Sequence, residues 1–212
     1  GDFLISTEQP EHLLINTLLS PQMAIEDSVM YDMAAWSAPI AYNLQAYSTN
    51  SEVSAQGDLV TSEIEPASEI SGAPNAYAYL VDWNQRYAPN ALAQLWQKGY
   101  RVRTATKEFT NNSKNYSRGT LVILVGRNLE KSASIAADMA EISSSARVIV
   151  NAAPTGRSQK GIDLASRDVE PLKQPKVALL VEPPFSTYTC GQIYFLFDQD
   201  TGFPIDRVRT SI

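Results

Sequence analysis

The order of strand and helix signals between residues 76 and 172 is the feature that most limits how this chain can fold. "AYAYLVDW" has strand composition, and "APNALAQLWQKG" follows with an inward helical face of Ala91, Leu92, Leu95 and Trp96. "YRVRTATKEFT" alternates apolar and polar side chains, "NNSKN" resembles a hairpin turn, and "RGTLVILVG" is a continuous apolar run. A helix pattern in "SASIAADMAEISSS" and a strand pattern in "ARVIVNAAP" complete the series. We therefore predict an α/β fold with a mixed, mostly parallel sheet covered by helices.

Residues 175–212 carry one further strand, helix and strand. "KVALLV" and "IDRVRTSI" have strand patterns, and "CGQIYFLFDQDTG" between them has a helical one. This is one β-α-β unit, which we expect to extend the α/β module of residues 76–212. The last strand would have a free edge, so a homodimer through the C-terminal edge is also expected.

Residues 1–47 form a small helical segment. "DFLIST" is typical of a short strand, and Leu13, Leu14 and Leu18 mark the apolar face of a helix that Thr7 could cap. A second helix is predicted from Asp27 or Ser28, interrupted by Pro39. Residues 48–75 then contain five acidic residues without Lys or Arg, which favours an acidic linker or exposed loop, although "GDLVTSEIE" within them could form an edge strand.

Charge and hydropathy limit the kinds of partner. The formal net charge is -6 and the basic residues are not clustered, which argues against a nucleic-acid partner. No apolar run reaches the roughly 18 to 20 residues that a membrane-spanning helix needs. We therefore expect neither nucleic-acid binding nor a membrane span.

Cys190 is the only cysteine and lies where a strand-like run gives way to a helix-like one. A helix N-terminus stabilises a thiolate, so Cys190 is a candidate nucleophile. Cysteine hydrolases also need a histidine base, and the only histidine, His12, lies across the acidic stretch. A helix-start cysteine that packs as a small apolar residue is the simpler interpretation.

Other site signals are weaker. A catalytic zinc ion needs about three protein ligands, and one histidine is too few for the usual set of two histidines and a carboxylate, so we expect no metal site and no cofactor in this chain. "LVGRN" could present backbone amides and Arg127 to an anion, although an ordinary loop is the simpler interpretation. Glu182 follows a predicted strand at its carboxyl end, and with Tyr188, Thr189 and Cys190 it makes the best small-ligand candidate.

Several stretches together resemble the C-terminal half of large bacterial zinc carboxypeptidase-like proteins of the carboxypeptidase A class. They are "GDFLISTEQPEHLLINTLLSP", "DSVMYDMAAWSAPIAY", "ALAQLWQKGYRVRTATKEF", "YSRGTLVILVGRN" and "PKVALLVEPPFSTYTCGQIYFLFDQDTGFPIDRV". The last of these is similar to the opening β-α-β unit of a class I glutamine amidotransferase-like domain. In that domain the nucleophilic cysteine lies later, on a strand-to-helix elbow, so Cys190 does not correspond to it.

The resemblance implies that this chain is a non-catalytic accessory module of a secreted or periplasmic metallopeptidase. Residues 1–47 would be the tail of a preceding catalytic-type domain, and that domain of the same parent chain would be the partner. The H-x-x-E pair and later histidine that bind zinc in such parents would lie in the preceding domain. Two alternatives remain open: a peptide-, glycan- or small-ligand-binding α/β module, and a cysteine hydrolase or amidotransferase that uses Cys190.

Overall fold

A computed structural model describes residues 3–20, 37–42, 44–54, 57–72 and 75–209 of the 212-residue chain. The chain divides into two units, Gly1–Glu63 and Ile64–Ile212. Within the described residues no helix is long and apolar enough to cross a bilayer.

Among its described residues, the first unit contains two short helices, α1 (His12–Leu19) and α2 (Ala38–Ala41). The predicted helix with its Leu13, Leu14 and Leu18 face is therefore present, but none of its residues is buried. It begins at His12 with Glu11 at the N-cap position, so the expectation that Thr7 caps it is wrong. The predicted strand is absent from residues 3–7, which are irregular. Asp27 and Ser28, the expected start of the second helix, lie outside the described residues.

The second unit is built on a six-stranded sheet with the order β1-β7-β2-β6-β3-β9. Its strands are β1 (Glu69–Gly72), β2 (Ala78–Val81), β3 (Arg103–Ala105), β6 (Leu121–Leu124), β7 (Ile149–Ala153) and β9 (Val169–Pro171). A second sheet has the order β5-β4-β8 and contains β4 (Phe109–Asn111), β5 (Lys114–Tyr116) and β8 (Lys160–Gly161). Two long helices, α3 (Ala88–Gln97) and α4 (Ile135–Ala146), complete the mixed α/β fold that the sequence predicts.

The six-stranded sheet is mostly antiparallel, so the expectation of mostly parallel pairing is wrong. Only β1 and β7 pair in parallel, and the other four neighbouring pairs are antiparallel. The helix α3 connects β2 to β3 with β6 between them, and α4 connects β6 to β7 with β2 between them. In each of these two β-α-β connections, the two connected strands are separated by one strand. That strand belongs to the other connection and runs in the opposite direction. This interleaving is the split β-α-β arrangement of ferredoxin-like topologies.

The alternation of side chains along the central strands separates two apolar layers. Tyr79 and Val81 of β2 join the layer formed with α3 and α4, whereas Ala78 and Leu80 join the layer that contains Phe109 of the small sheet. Both faces of the central strands are thus covered, which explains why "LVILV" is apolar at every position. The acidic stretch 48–75 contributes the edge strand β1, which pairs with β7.

The C-terminal β-α-β unit forms as predicted. Strands β10 (Ala178–Leu180) and β11 (Asp206–Val208) pair in parallel, and α5 (Thr187–Phe195), extended by a π-helical turn, connects them. Phe203 packs edge-on against Trp96 of α3, with ring centroids 5.8 Å apart. In the described part of the chain, β10 and β11 have no further strand beside them, and dimerisation through this edge stays a prediction.

The end of α3 is joined to α4 by a polar contact whose strength depends on pH. The Tyr100 hydroxyl donates to Asp138 Oδ2 at 2.5 Å, and Lys98 Nζ lies 3.3 Å from Asp138 Oδ1. The hydrogen bond from Tyr100 lowers the pKa of Asp138; partial burial opposes this, and hydrogen bonds from Ser134 and Lys98 reinforce it. Because the folded-state pKa is depressed, this stabilisation is present above the unfolded pKa of about 3.9 and is lost as the pH falls through the folded value.

Replacing Tyr100→Phe should raise the pKa of Asp138 toward its ordinary value, because the largest cause of the lowering is removed. The stability of the variant should then decline less steeply with falling pH below about pH 4. Carboxyl NMR titration of Asp138 and urea unfolding across this range measure both effects. Tyr188→Phe, at a tyrosine that is 88% exposed, is the matched control. An unchanged Asp138 titration in the Tyr100 variant would contradict this account.

Candidate functional site

The loop between β10 and α5 brings the predicted site residues to one end of the C-terminal unit. Glu182 Oε1 lies 3.5 Å from Arg209 Nε, and Tyr188 is 88% exposed at the start of α5. The Thr189 backbone N–H donates to the side chain of Ser186, which caps the helix. These side chains lie close in sequence; Tyr188 and Thr189 are exposed, Glu182 is partly buried and Cys190 is buried.

Cys190 lies inside α5 and not at its start. The helix begins at Thr187, and the Cys190 backbone N–H already donates to the Ser186 carbonyl at 3.0 Å. The buried thiol donates to the Leu180 carbonyl of β10, with Sγ 3.0 Å from the oxygen. The expectation that free helix-terminal amides surround this cysteine is therefore wrong, because the helix begins three residues earlier than its sequence pattern indicates. In this geometry Cys190 joins α5 to β10.

No group of three or more His, Cys, Asp or Glu side chains within the described ranges is placed to hold a metal ion. The resemblance to zinc carboxypeptidase-like proteins assigns the zinc ligands to a different domain. The described His, Cys, Asp and Glu side chains therefore do not fit a zinc site, and we assign no zinc-dependent step to them.

A polar cleft of about 510 Å³ lies between the loop after β2 and the small sheet. Asp82 Oδ1 accepts hydrogen bonds from the Ser117 hydroxyl at 2.8 Å and the Asn84 backbone at 3.1 Å. Burial, with a smaller contribution from the charge of Asp82, raises the pKa of Tyr116 to about 12. The Tyr116 ring stacks on Phe109 and both are buried, so neither ring offers a free face to a ligand.

A second cleft, of about 370 Å³, lies beside the C-terminal end of α3 and contains three arginines: Arg101, Arg103 and Arg127. Arg127 is the residue that the sequence marks for anion binding. Arg101 and Arg103 do not stand out in the sequence as site residues. Arg103 lies on β3 and Arg101 just before it, so both resemble the ordinary polar positions of an alternating strand. Only the packing of β3, β9 and the 3-10 turn at Val125–Arg127 brings the three together.

Searches of protein-family models, of curated proteins and of solved structures find no match for this chain.

Proposed function

We propose that this chain is a non-catalytic accessory module of a secreted or periplasmic zinc carboxypeptidase-like protein. In this proposal it packs on the catalytic domain of its own parent chain, and that domain removes C-terminal residues from peptides. The proposal rests on the sequence resemblance and on one structural observation, the exposure of large apolar side chains in the N-terminal unit.

That unit leaves much of its apolar surface exposed. Leu13 is 70% exposed and Leu14 is 53% exposed, and α1 buries no residue at all. Other large apolar side chains among the described residues of this unit are also exposed: Phe3, Leu4, Ile5, Leu18, Ile40, Tyr42, Leu44 and Tyr47. Burying one such side chain contributes about 1.5 to 3 kcal/mol, so a protein surface that covers several of them gains substantial stability.

The occupant that fits best is the preceding domain of the same parent. The exposed residues lie in and beside "GDFLISTEQPEHLLINTLLSP", one of the stretches that carry the resemblance. An exposed surface to which several large apolar side chains contribute is typical of an interface between domains or proteins. The remainder of the chain, with its two-layered core, would then hold or orient the catalytic domain.

A binding experiment tests this. The polypeptide encoded upstream in the same reading frame is produced separately and titrated with residues 1–212 by calorimetry. We expect saturable binding, and Leu14→Glu should weaken it by about tenfold or more because a charge replaces a buried apolar contact.

Leu129→Glu is the control, since Leu129 is 67% exposed in the second unit and should not alter the affinity. An upstream polypeptide that does not bind, or equal binding by both variants, would contradict the proposal.

A further inference from the structure

The arginine cleft is distinct from the surface that the proposed function uses. It is lined by the end of α3, by residues 99–102 and the first residue of β3, by the 3-10 turn, and by the end of β9 with the residues that follow it. Trp96, Val102, Pro171 and Leu172 supply apolar walls, and Gln174 supplies an amide. The charged side chains in the lining are the three arginines, although the whole chain has a net charge of -6.

The arginines have donors to spare. Arg127 is exposed, and within the described part of the chain its guanidinium has no hydrogen bond or ion pair. Arg103 donates from Nε, at 2.8 Å, and from Nη2 to the single carbonyl of Val169, which leaves Nη1 free. Arg101 donates from Nη1 to the Arg127 carbonyl at 3.2 Å, and its Nη2 lies 3.4 Å from Glu130 Oε1. Both side chains of this ion pair are at least half exposed, so water and salt screen it.

A buried asparagine fixes the positions of two of these arginines. Asn128 is 0% exposed, and its Oδ1 accepts from the Arg101 backbone N–H at 2.8 Å. Its Nδ2 donates to the carbonyls of Leu124 at 2.9 Å and of Arg101 at 3.3 Å. The strand β6, the 3-10 turn that carries Arg127 and the segment before β3 are therefore held together by one side chain.

Unpaired carbonyl oxygens at the C-terminal end of a helix would repel an anion, but the Leu95 and Trp96 carbonyls at the end of α3 accept hydrogen bonds. Gly99 is in the left-handed region with φ +79, and its backbone N–H donates to the Trp96 carbonyl at 2.9 Å. The backbone N–H of Tyr100 donates to the Leu95 carbonyl at 2.9 Å. The Trp96 ring also packs against Phe203 in a T-shaped arrangement, with ring centroids 5.8 Å apart. The cleft therefore has an aromatic wall, Trp96, beside the three positively charged arginine side chains.

We propose that this cleft binds a small organic anion, in which a carboxylate or phosphate group is attached to a flat apolar body. Guanidinium groups bind both oxyanions through paired hydrogen bonds, which a single ammonium group does not reproduce. The apolar body would lie against Trp96 and Leu172. A volume of about 370 Å³ suits a ligand of that size.

The test is a calorimetric titration of residues 1–212 with benzoate and with phenyl phosphate. At least one of them should bind saturably, and binding should weaken as sodium chloride rises from about 0.05 to about 0.5 M. Benzyl alcohol, which has the same ring and no charge, should not bind. The stronger of the two anions identifies which oxyanion the cleft prefers.

Arg127→Gln should weaken binding of the preferred anion by about tenfold or more, and Arg127→Lys should restore only part of it. Arg118→Gln removes one exposed arginine outside the cleft and should leave the affinity unchanged. A glutamate-rich peptide is titrated in the same way. The proposal is wrong if neither anion binds, if both glutamine variants behave alike, or if only the peptide binds. The last result would indicate an acidic protein segment as the ligand.

Discussion

Leu80→Ala is expected to lower the free energy of unfolding by about 3 kcal/mol, within the range of about 2 to 5 kcal/mol for large-to-small core changes. Leu80 is 0% exposed on the central strand β2 and belongs to the apolar layer between the six-stranded sheet and the small sheet. The substitution leaves a cavity that rigid neighbours on both sides fill only in part. At roughly 2 to 4 °C per kcal/mol, the melting temperature should fall by about 6 to 12 °C.

Urea unfolding of the wild-type chain and of two variants measures this effect. Leu129→Ala is the control, because Leu129 is 67% exposed and its truncation should change stability by less than about 0.5 kcal/mol. A loss below about 1 kcal/mol for Leu80→Ala would mean that the small sheet does not enclose this face of β2.

Asn128→Ala is expected to lower the free energy of unfolding by about 3 kcal/mol, although asparagine is a polar residue of the kind that usually lies at the surface. The buried amide side chain satisfies the N–H and the carbonyl of Arg101 and the carbonyl of Leu124. Each buried polar group left without a partner costs about 1 to 3 kcal/mol.

Asn128→Asp distinguishes this explanation from a simple packing loss. It keeps the shape of the side chain and one acceptor but replaces the donating amide with a buried charge, so it should also be strongly destabilised. Asn84→Ala, at an exposed position, should cost less than about 0.5 kcal/mol. Urea unfolding compares all three, and a near-neutral Asn128→Ala would show that water replaces these hydrogen bonds.

The sequence predicts the elements of the second unit well because their signals are local. The apolar face of Ala91, Leu92 and Leu95 and the continuous run at Leu121–Leu124 lie in a helix and a buried strand, as expected. Strand direction and order are not local. Whether a crossover places its two strands side by side or one position apart depends on the packing of α3 and α4 together, so the mostly antiparallel pairing could not be derived from the patterns.

The candidate sites show the same limit. The start of α5 depends on its N-cap residue Ser186, which precedes the apolar pattern. Cys190 therefore lies deeper in the helix than the pattern indicates. Arg127 stands out in the sequence because it follows a strand in a glycine-containing loop. Arg101 and Arg103 do not, since their approach to Arg127 depends on the buried side chain of Asn128 and on pairing between distant strands.

Zinc stoichiometry tests most directly the proposal that this chain is a non-catalytic module of a zinc carboxypeptidase-like protein. In the proposal, residues 1–212 belong to a longer parent polypeptide, called here the full-length polypeptide. That polypeptide and residues 1–212 are purified in the same way, dialysed and analysed for metal. We predict about one tightly bound zinc ion per full-length polypeptide and none in residues 1–212. A full-length polypeptide without zinc, or about one zinc ion held by residues 1–212 alone, would contradict the account.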